Sequence, residues 1–217
     1  MNIFINISGV YDAEGRRLSE AETLDLRELE GCQCYCDSEA EEKLRSALAP
    51  YPAGGVHWID TGDYHYLSKL WMEKIDEPFV LALFDNHPDD QRAAFGDLLS
   101  CGGWVQSARD SLPLMKADYL NAGDVPGSLP VYLSLDLDLL SRDCARTDWD
   151  QGDWTLDTLM LELERIADGH RIIGADVCGG ITIAKGATDE DLALNAATRS
   201  RLQAFLDGLV NRSGRAE

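Results

Sequence analysis

Two stretches, Phe79-Val-Leu-Ala-Leu-Phe-Asp85 and Val131-Tyr-Leu-Ser-Leu-Asp-Leu-Asp138, constrain the fold of this chain more than any other feature. Neither begins with the apolar/polar alternation of a strand that has one face in water. Near-continuous apolar strands need cover on both faces, the environment of a parallel sheet held between helix layers. Further strands are predicted at 2–9, 32–36, 56–60 and 171–177. Helices are predicted at 39–49, capped by Asp37 or Ser38, from His65 to about Ile75, at 155–167 with Thr155 as cap, and at 188–210. Strands alternating with helices predict βαβ units. The expectation is a single-domain α/β fold over residues 1–217, built on a mainly parallel, doubly wound sheet.

Composition narrows the partners. A 45% hydrophobic fraction over 217 residues is enough for one core. No run of about 18 apolar residues appears, so no membrane span is expected. The start, MNIFINISGVY, shows no basic leader with a cleavage site, which argues against secretion. With 19 basic against 39 acidic residues, the formal charge of −20 repels phosphate backbones and anionic lipids. Neither nucleic acid nor membrane is therefore expected as a partner, whereas a small cationic ligand or a metal suits the field. Cys32, Cys34 and Cys36 stand at i, i+2 and i+4, the spacing of one strand face, and no second Cys/His cluster completes a zinc site. Reduced, buried cysteines and a cytoplasmic location are expected.

Chemistry concentrates in three short segments, Asp63-Tyr-His65, Asp85-Asn-His-Pro-Asp89 and Ser134-Leu-Asp-Leu-Asp138. Asp85 and Asp136 lie at the carboxyl ends of the apolar strands, where open parallel sheets place their sites. Alternate residues of extended backbone share a side, so Asp85, His87 and Asp89 can converge, as can Asp136 and Asp138. His65 adds a sixth donor. Four carboxylates carry a charge that two divalent cations neutralise, and an oxygen-rich set with two imidazoles and no thiolate suits manganese. Of the other histidines, His57 opens a strand at the opposite end and is read as structural. His170, in a polar turn, is read as solvent-exposed.

The order of these motifs resembles the arginase/agmatinase (ureohydrolase) superfamily, which carries Gly-Gly-Asp-His-Ser, Asp-Ala-His-x-Asp and Ser-x-Asp-x-Asp motifs in the same sequence. The likeness runs over about 56–210, through Gly152-Asp-Trp-Thr155 and Ala175-Asp-Val177. It is strongest to a compact, divergent bacterial arginase-like branch with Tyr-His-Tyr and Trp-Asp-Gln-Gly signatures. The resemblance implies a binuclear centre of two Mn2+ per chain on His65, Asp85, His87, Asp89, Asp136 and Asp138. It also implies hydrolysis of a guanidino or amidino C–N bond with urea release, Asp89 acting on the attacking water, and assembly as homo-oligomers. Asn86, Trp149, Asp150 and Asp176 are the candidates to contact substrate.

The chain also departs from the family. Ser100-Cys-Gly-Gly-Trp-Val105 holds no His where arginases keep a proton shuttle, and Gly179 stands where a guanidinium-binding Glu is usual. These departures leave two alternatives open. The same centre would act on a peptide-borne guanidino group or a linear amide, or the protein would be a catalytically silent metal-binding or regulatory protein.

Overall fold

Strand pairing in the main sheet is parallel throughout. In the computed structural model, which describes residues 1–15, 23–93 and 95–213, the strands are β1 (Asn2–Asn6), β2 (Thr23–Asp25), β3 (Tyr35–Cys36), β4 (Val56–Ile59), β5 (Phe79–Phe84), β6 (Leu99–Ser100), β7 (Met115–Leu120), β8 (Val131–Asp136) and β9 (Ile172–Cys178). The helices are α1 (Val10–Ala13), α2 (Ser38–Leu48), α3 (Leu67–Met72), α4 (Trp104–Ser111), α5 (Leu156–Gly169) and α6 (Asp189–Ser213). Seven strands form the sheet β2-β1-β4-β9-β8-β5-β7, and β3 pairs with β6 in a separate antiparallel ribbon.

The two apolar strands are central, and every residue of β5 and β8 is buried. Pleating sends alternate side chains into opposite cores. Ile3, Ile5, Leu81 and Leu83 pack with Leu44 of α2, Trp71 of α3 and Trp104 of α4. Phe4, Val80, Ala82 and Phe84 face the other way, onto Leu159 and Leu163 of α5 and Leu202 and Leu206 of α6. This is the doubly wound α/β arrangement. Helix starts follow local chemistry: the Asp37 carboxylate accepts the Ala40 N–H at 2.8 Å, and Thr155 Oγ1 accepts the Thr158 N–H at 3.1 Å.

The structure corrects several sequence expectations. The 32–36 segment is not a strand of the main sheet. Cys34 adopts φ +57, which turns the chain, and only Tyr35–Cys36 is extended. Cys32 and Cys36 are buried, but Cys34 is partly exposed. β8 ends at Asp136 because its carboxylate accepts the Asp138 N–H at 2.8 Å and curls Leu137–Leu139 into a 3-10 turn. Asp138 therefore reaches the site from a turn and not by strand alternation. His170 is only half-exposed, with its ring nitrogens 2.9 Å from the Leu129 carbonyl and 2.8 Å from that of Val125. It ties the end of α5 to the segment leading into β8.

His57 is structural as expected. It is buried, stacks on Trp71 with ring centroids 3.6 Å apart, and its Nδ1 lies 3.2 Å from the Tyr132 hydroxyl. Burial pushes its pKa down from 6.5 to about 3. Between those values the unfolded chain binds a proton that the folded chain refuses, so stability falls as pH drops through this window. Urea denaturation of wild type and His57→Phe at pH 7 and pH 4 tests this. On acidification the wild type should lose on the order of 3 kcal/mol more than the variant.

Candidate metal centre

A parallel sheet brings the carboxyl ends of its strands to one edge. β5 delivers Asp85 there, and Asn121 clamps the Asp85 backbone from both sides, with its Oδ1 2.9 Å from the amide and its Nδ2 2.7 Å from the carbonyl. β8 delivers Asp136. After β4, a 3-10 turn over Gly62–Tyr64 brings in His65. The 85–89 loop folds back on itself: the His87 N–H donates to Asp85 Oδ1 at 2.6 Å, and Asp89 takes φ +46. That turn aims the Asp89 carboxylate inward, where Trp104 Nε1 donates to it at 2.8 Å.

The six predicted ligands converge. His65 Nδ1 stands 3.1 Å from Asp85 Oδ2, 3.1 Å from Asp89 Oδ2 and 3.6 Å from Asp136 Oδ2. His87 Nδ1 stands 2.8 Å from Asp138 Oδ2 and 3.6 Å from Asp85 Oδ1. Asp85 thus faces both imidazoles, one from each carboxylate oxygen. All but half-exposed His87 are buried. Among the described residues, three donor sets have mutually close atoms: His65–Asp85–Asp89, Asp85–His87–Asp138 and His65–Asp136–Cys178. Cys178 is a member that sequence reasoning missed, because a lone cysteine in an apolar strand carries no motif.

The chemistry of this set fits divalent cations. His65 Nδ1 is buried without a hydrogen-bond partner, although three carboxylates surround it. Its other ring nitrogen is held: Nε2 lies 2.9 Å from Ser134 Oγ, and Ser134 and Ser68 both donate to Asp176 Oδ1, at 2.8 and 3.0 Å. This buried relay orients the ring so that Nδ1 points into the carboxylates, as outer partners of metal-binding imidazoles do. Burial, then the charges of Asp136 and Asp85, drive the Asp138 pKa up. Burial, then Asp85, does the same to Asp136. Burial opposes ionisation of Asp85 too, but the neighbouring His65 and His87 imidazoles hold its pKa well below the usual range. The carboxylates resist simultaneous ionisation unless cations stand among them.

Above the cluster opens a cavity of about 290 Å³, walled by Tyr35, Gln91, Ser100, Cys101 and Trp149, with Asp85, His87, Asp89, Asp136 and Asp138 lining its floor. Among the described residues, no Lys or Arg lines it. Trp149 is fixed by a 3.0 Å hydrogen bond from its Nε1 to Asp63 Oδ1, and Gln33 Nε2 donates to the other Asp63 oxygen at 3.0 Å. The structure brings Trp149 to this wall but not the other three candidate substrate residues. The Asn86 side chain donates to the Asp150 carbonyl at 2.9 Å, and its backbone N–H to Asp138 Oδ1 at 3.1 Å. Asp150 belongs to an exposed loop, and Asp176 lies fully buried behind His65. Tyr35, Gln91, Ser100 and Cys101 escaped sequence reading because the β3/β6 ribbon and its loops carry no metal-ligand pattern.

Gly179 sits against the cluster. Its φ is +97, and a Cβ there would lie 2.6 Å from Asp136 Oδ1 and 2.8 Å from the Leu137 amide nitrogen. Its carbonyl accepts from Arg199 Nη2. Arg199 is buried and paired with equally buried Glu14 at 3.0 Å. The position has no room for a side chain of any kind.

A parallel sheet edge carrying a carboxylate-rich, imidazole-flanked cluster defines a scaffold with groups that could hold metal ions. Similar solved structures agree with it. Proclavaminate amidino hydrolase from Streptomyces clavuligerus has a TM-score of 0.61 at 15% identity, covering 83% of this chain and 72% of that one. A hypothetical agmatinase from Burkholderia thailandensis has a TM-score of 0.57 at 19% identity, covering 83% and 69%. A triple mutant of a T. brucei arginase-like protein, bound with Mn2+, has a TM-score of 0.59 at 15% identity, covering 97% and 90%. The chain therefore has the α/β fold of the arginase/agmatinase (ureohydrolase) superfamily. In sequence it is 28% identical over 194 residues to an uncharacterized protein of Thermotoga maritima, covering 81% of this chain and 78% of that protein. No family model matches it. No described helix is long and apolar enough to cross a membrane.

Two outcomes follow from this geometry. The ionised Asp138 carboxylate destabilises the metal-free fold, because its folded pKa lies above its unfolded one. Asp138→Asn should leave the thermal midpoint of chelator-treated protein unchanged or higher, while abolishing the rise that added Mn2+ gives the wild type. Gly179→Ala should shift Asp136 and Leu137, and calorimetric titration should show Mn2+ affinity reduced on the order of 10–100-fold.

Proposed function

We propose that this protein is a binuclear, Mn2+-dependent hydrolase that cleaves a C–N bond of a guanidino or amidino substrate. The observation that carries this reading is the pair of donor sets sharing Asp85 on the floor of a cavity, with His65 Nδ1 buried and unpartnered among carboxylates. His65, Asp85, Asp89 and Asp136 would hold one cation, and Asp85, His87 and Asp138 the other. When bound, two such cations act as Lewis acids that activate water and neutralise the carboxylates.

The protein's own groups supply the rest. Asp89 shares Oδ2 between Trp104 and His65 and lines the cavity, so it is the carboxylate placed to accept a proton from the attacking water. Trp149 offers an exposed indole as a wall for a planar cation. Acidic groups line the floor and, among the described residues, no Lys or Arg lines the walls, so a cationic head is attracted and the α-carboxylate of a free amino acid meets no described cation. The same observation favours a second reading within the class, a guanidino group borne on a peptide. Against a silent binder stands the electrostatic cost of keeping buried acids side by side without a catalytic role. The names of the structural neighbours, an amidino hydrolase and an agmatinase, point to the same chemistry.

Metal analysis under saturating Mn2+ should find close to two ions per chain in wild type and none in Asp85→Asn, which removes the shared ligand. No bound metal would overturn the reading. Urea release should be measured with agmatine, arginine, arginine-containing peptides and linear amides. Asp89→Asn should lower kcat by at least about 100-fold on whichever substrate turns over.

A further inference from the structure

The donor set His65–Asp136–Cys178 differs from the other two in containing sulfur. Cys178 is the last residue of β9 and pairs in register with Asp136 at the end of β8, so the two side chains rise together on neighbouring strands. Cys178 Sγ lies 2.9 Å from Asp136 Oδ2, the oxygen that stands 3.6 Å from His65 Nδ1. One donor atom from each of the three residues lies within 4.8 Å of the other two. Cys178 is fully buried and free of any disulfide. His65 Nδ1, buried and without a hydrogen-bond partner, belongs to the same group and independently marks a place for a ligand. The opposite half of the centre, Asp85, His87 and Asp138, offers only oxygen and nitrogen.

We infer that Cys178 is a metal ligand on the His65 side, so that the two halves of the centre differ in softness. This rests on the binuclear reading above and refines it. As the metal–sulfur bond forms, the thiol proton passes to solvent and the thiolate supplies the electron pair. A thiolate beside one imidazole and a carboxylate favours Zn2+, Co2+ or Fe2+ over Mn2+, whereas the oxygen-rich half suits Mn2+. The centre would then fill as a mixed pair when both kinds of ion are present.

Cobalt distinguishes a ligand from a thiol that only donates a hydrogen bond to Asp136. Metal-free protein titrated with Co2+ should show visible d–d absorption together with a near-ultraviolet thiolate-to-cobalt charge-transfer band. Cys178→Ser keeps a hydrogen-bond donor to Asp136. It should retain cobalt in the other half and lose that band, and its preference for Zn2+ over Mn2+ should fall on the order of 10–100-fold. Zinc-loaded wild type, probed by X-ray absorption, should show a sulfur neighbour at about 2.3 Å, a measurement that needs no variant to fold. Bound cobalt with d–d absorption but no charge-transfer band, or zinc without a sulfur neighbour, would overturn the inference and leave the binuclear reading standing. No uptake of Co2+, Zn2+ or Mn2+ at all would overturn both.

Discussion

Asp85 stands between two imidazoles, 3.1 Å from His65 and 3.6 Å from His87, at the end of a strand with every residue buried. Further carboxylates crowd the same space, and burial pushes the pKa values of Asp89, Asp136 and Asp138 upward. Like charges in a dry site repel unless something positive lies among them. Much of the surrounding architecture serves to hold this arrangement: Asn121 clamps the Asp85 backbone, Trp104 anchors Asp89, and the Asp176–Ser134 relay aims His65. The sheet supplies rigid strand ends, and the loops supply hydrogen bonds that keep each donor facing inward.

The cavity is built differently. The floor belongs to strand ends, but the walls come from the β3/β6 ribbon and from the loop carrying Trp149. That loop is pinned to the 3-10 turn after β8: the Gly152 N–H reaches the Asp138 carbonyl at 2.7 Å, and the Trp154 N–H reaches that of Leu139 at 3.2 Å. Specificity can therefore change while the ligand layer stays in place. Gly179 lies against that donor layer. Asp136 and the Leu137 backbone occupy the space a side chain there would need.

Legibility in the sequence tracked burial and local pattern. β5 and β8 could be read from their apolar runs, α2 and α5 from their caps, and the meeting of the Asp and His side chains from strand ends that close on those residues. β2 and β7 could not, because one is three residues long and the other is only partly buried, with Lys116 exposed and Asp118 paired to Arg109 of α4. The Cys32–Cys36 segment misled because i, i+2, i+4 spacing implies a common face only in extended backbone, and Cys34 leaves it at φ +57. His170 misled because a polar turn conceals carbonyls that arrive from residues more than 40 positions earlier.

The sequence by itself determined the sheet class and the inventory of donors, since periodicity and residue type are local properties. Only the tertiary structure decided what the donors do together. It placed Asp85 between both imidazoles, put Cys178 beside Asp136 through β8/β9 register, left His65 Nδ1 without a partner, and withdrew Asp176 and Asp150 from the cavity. Each of these depends on distances between segments tens of residues apart. Those distances are set by how pleated strands and covering helices pack, and no short window of sequence contains them.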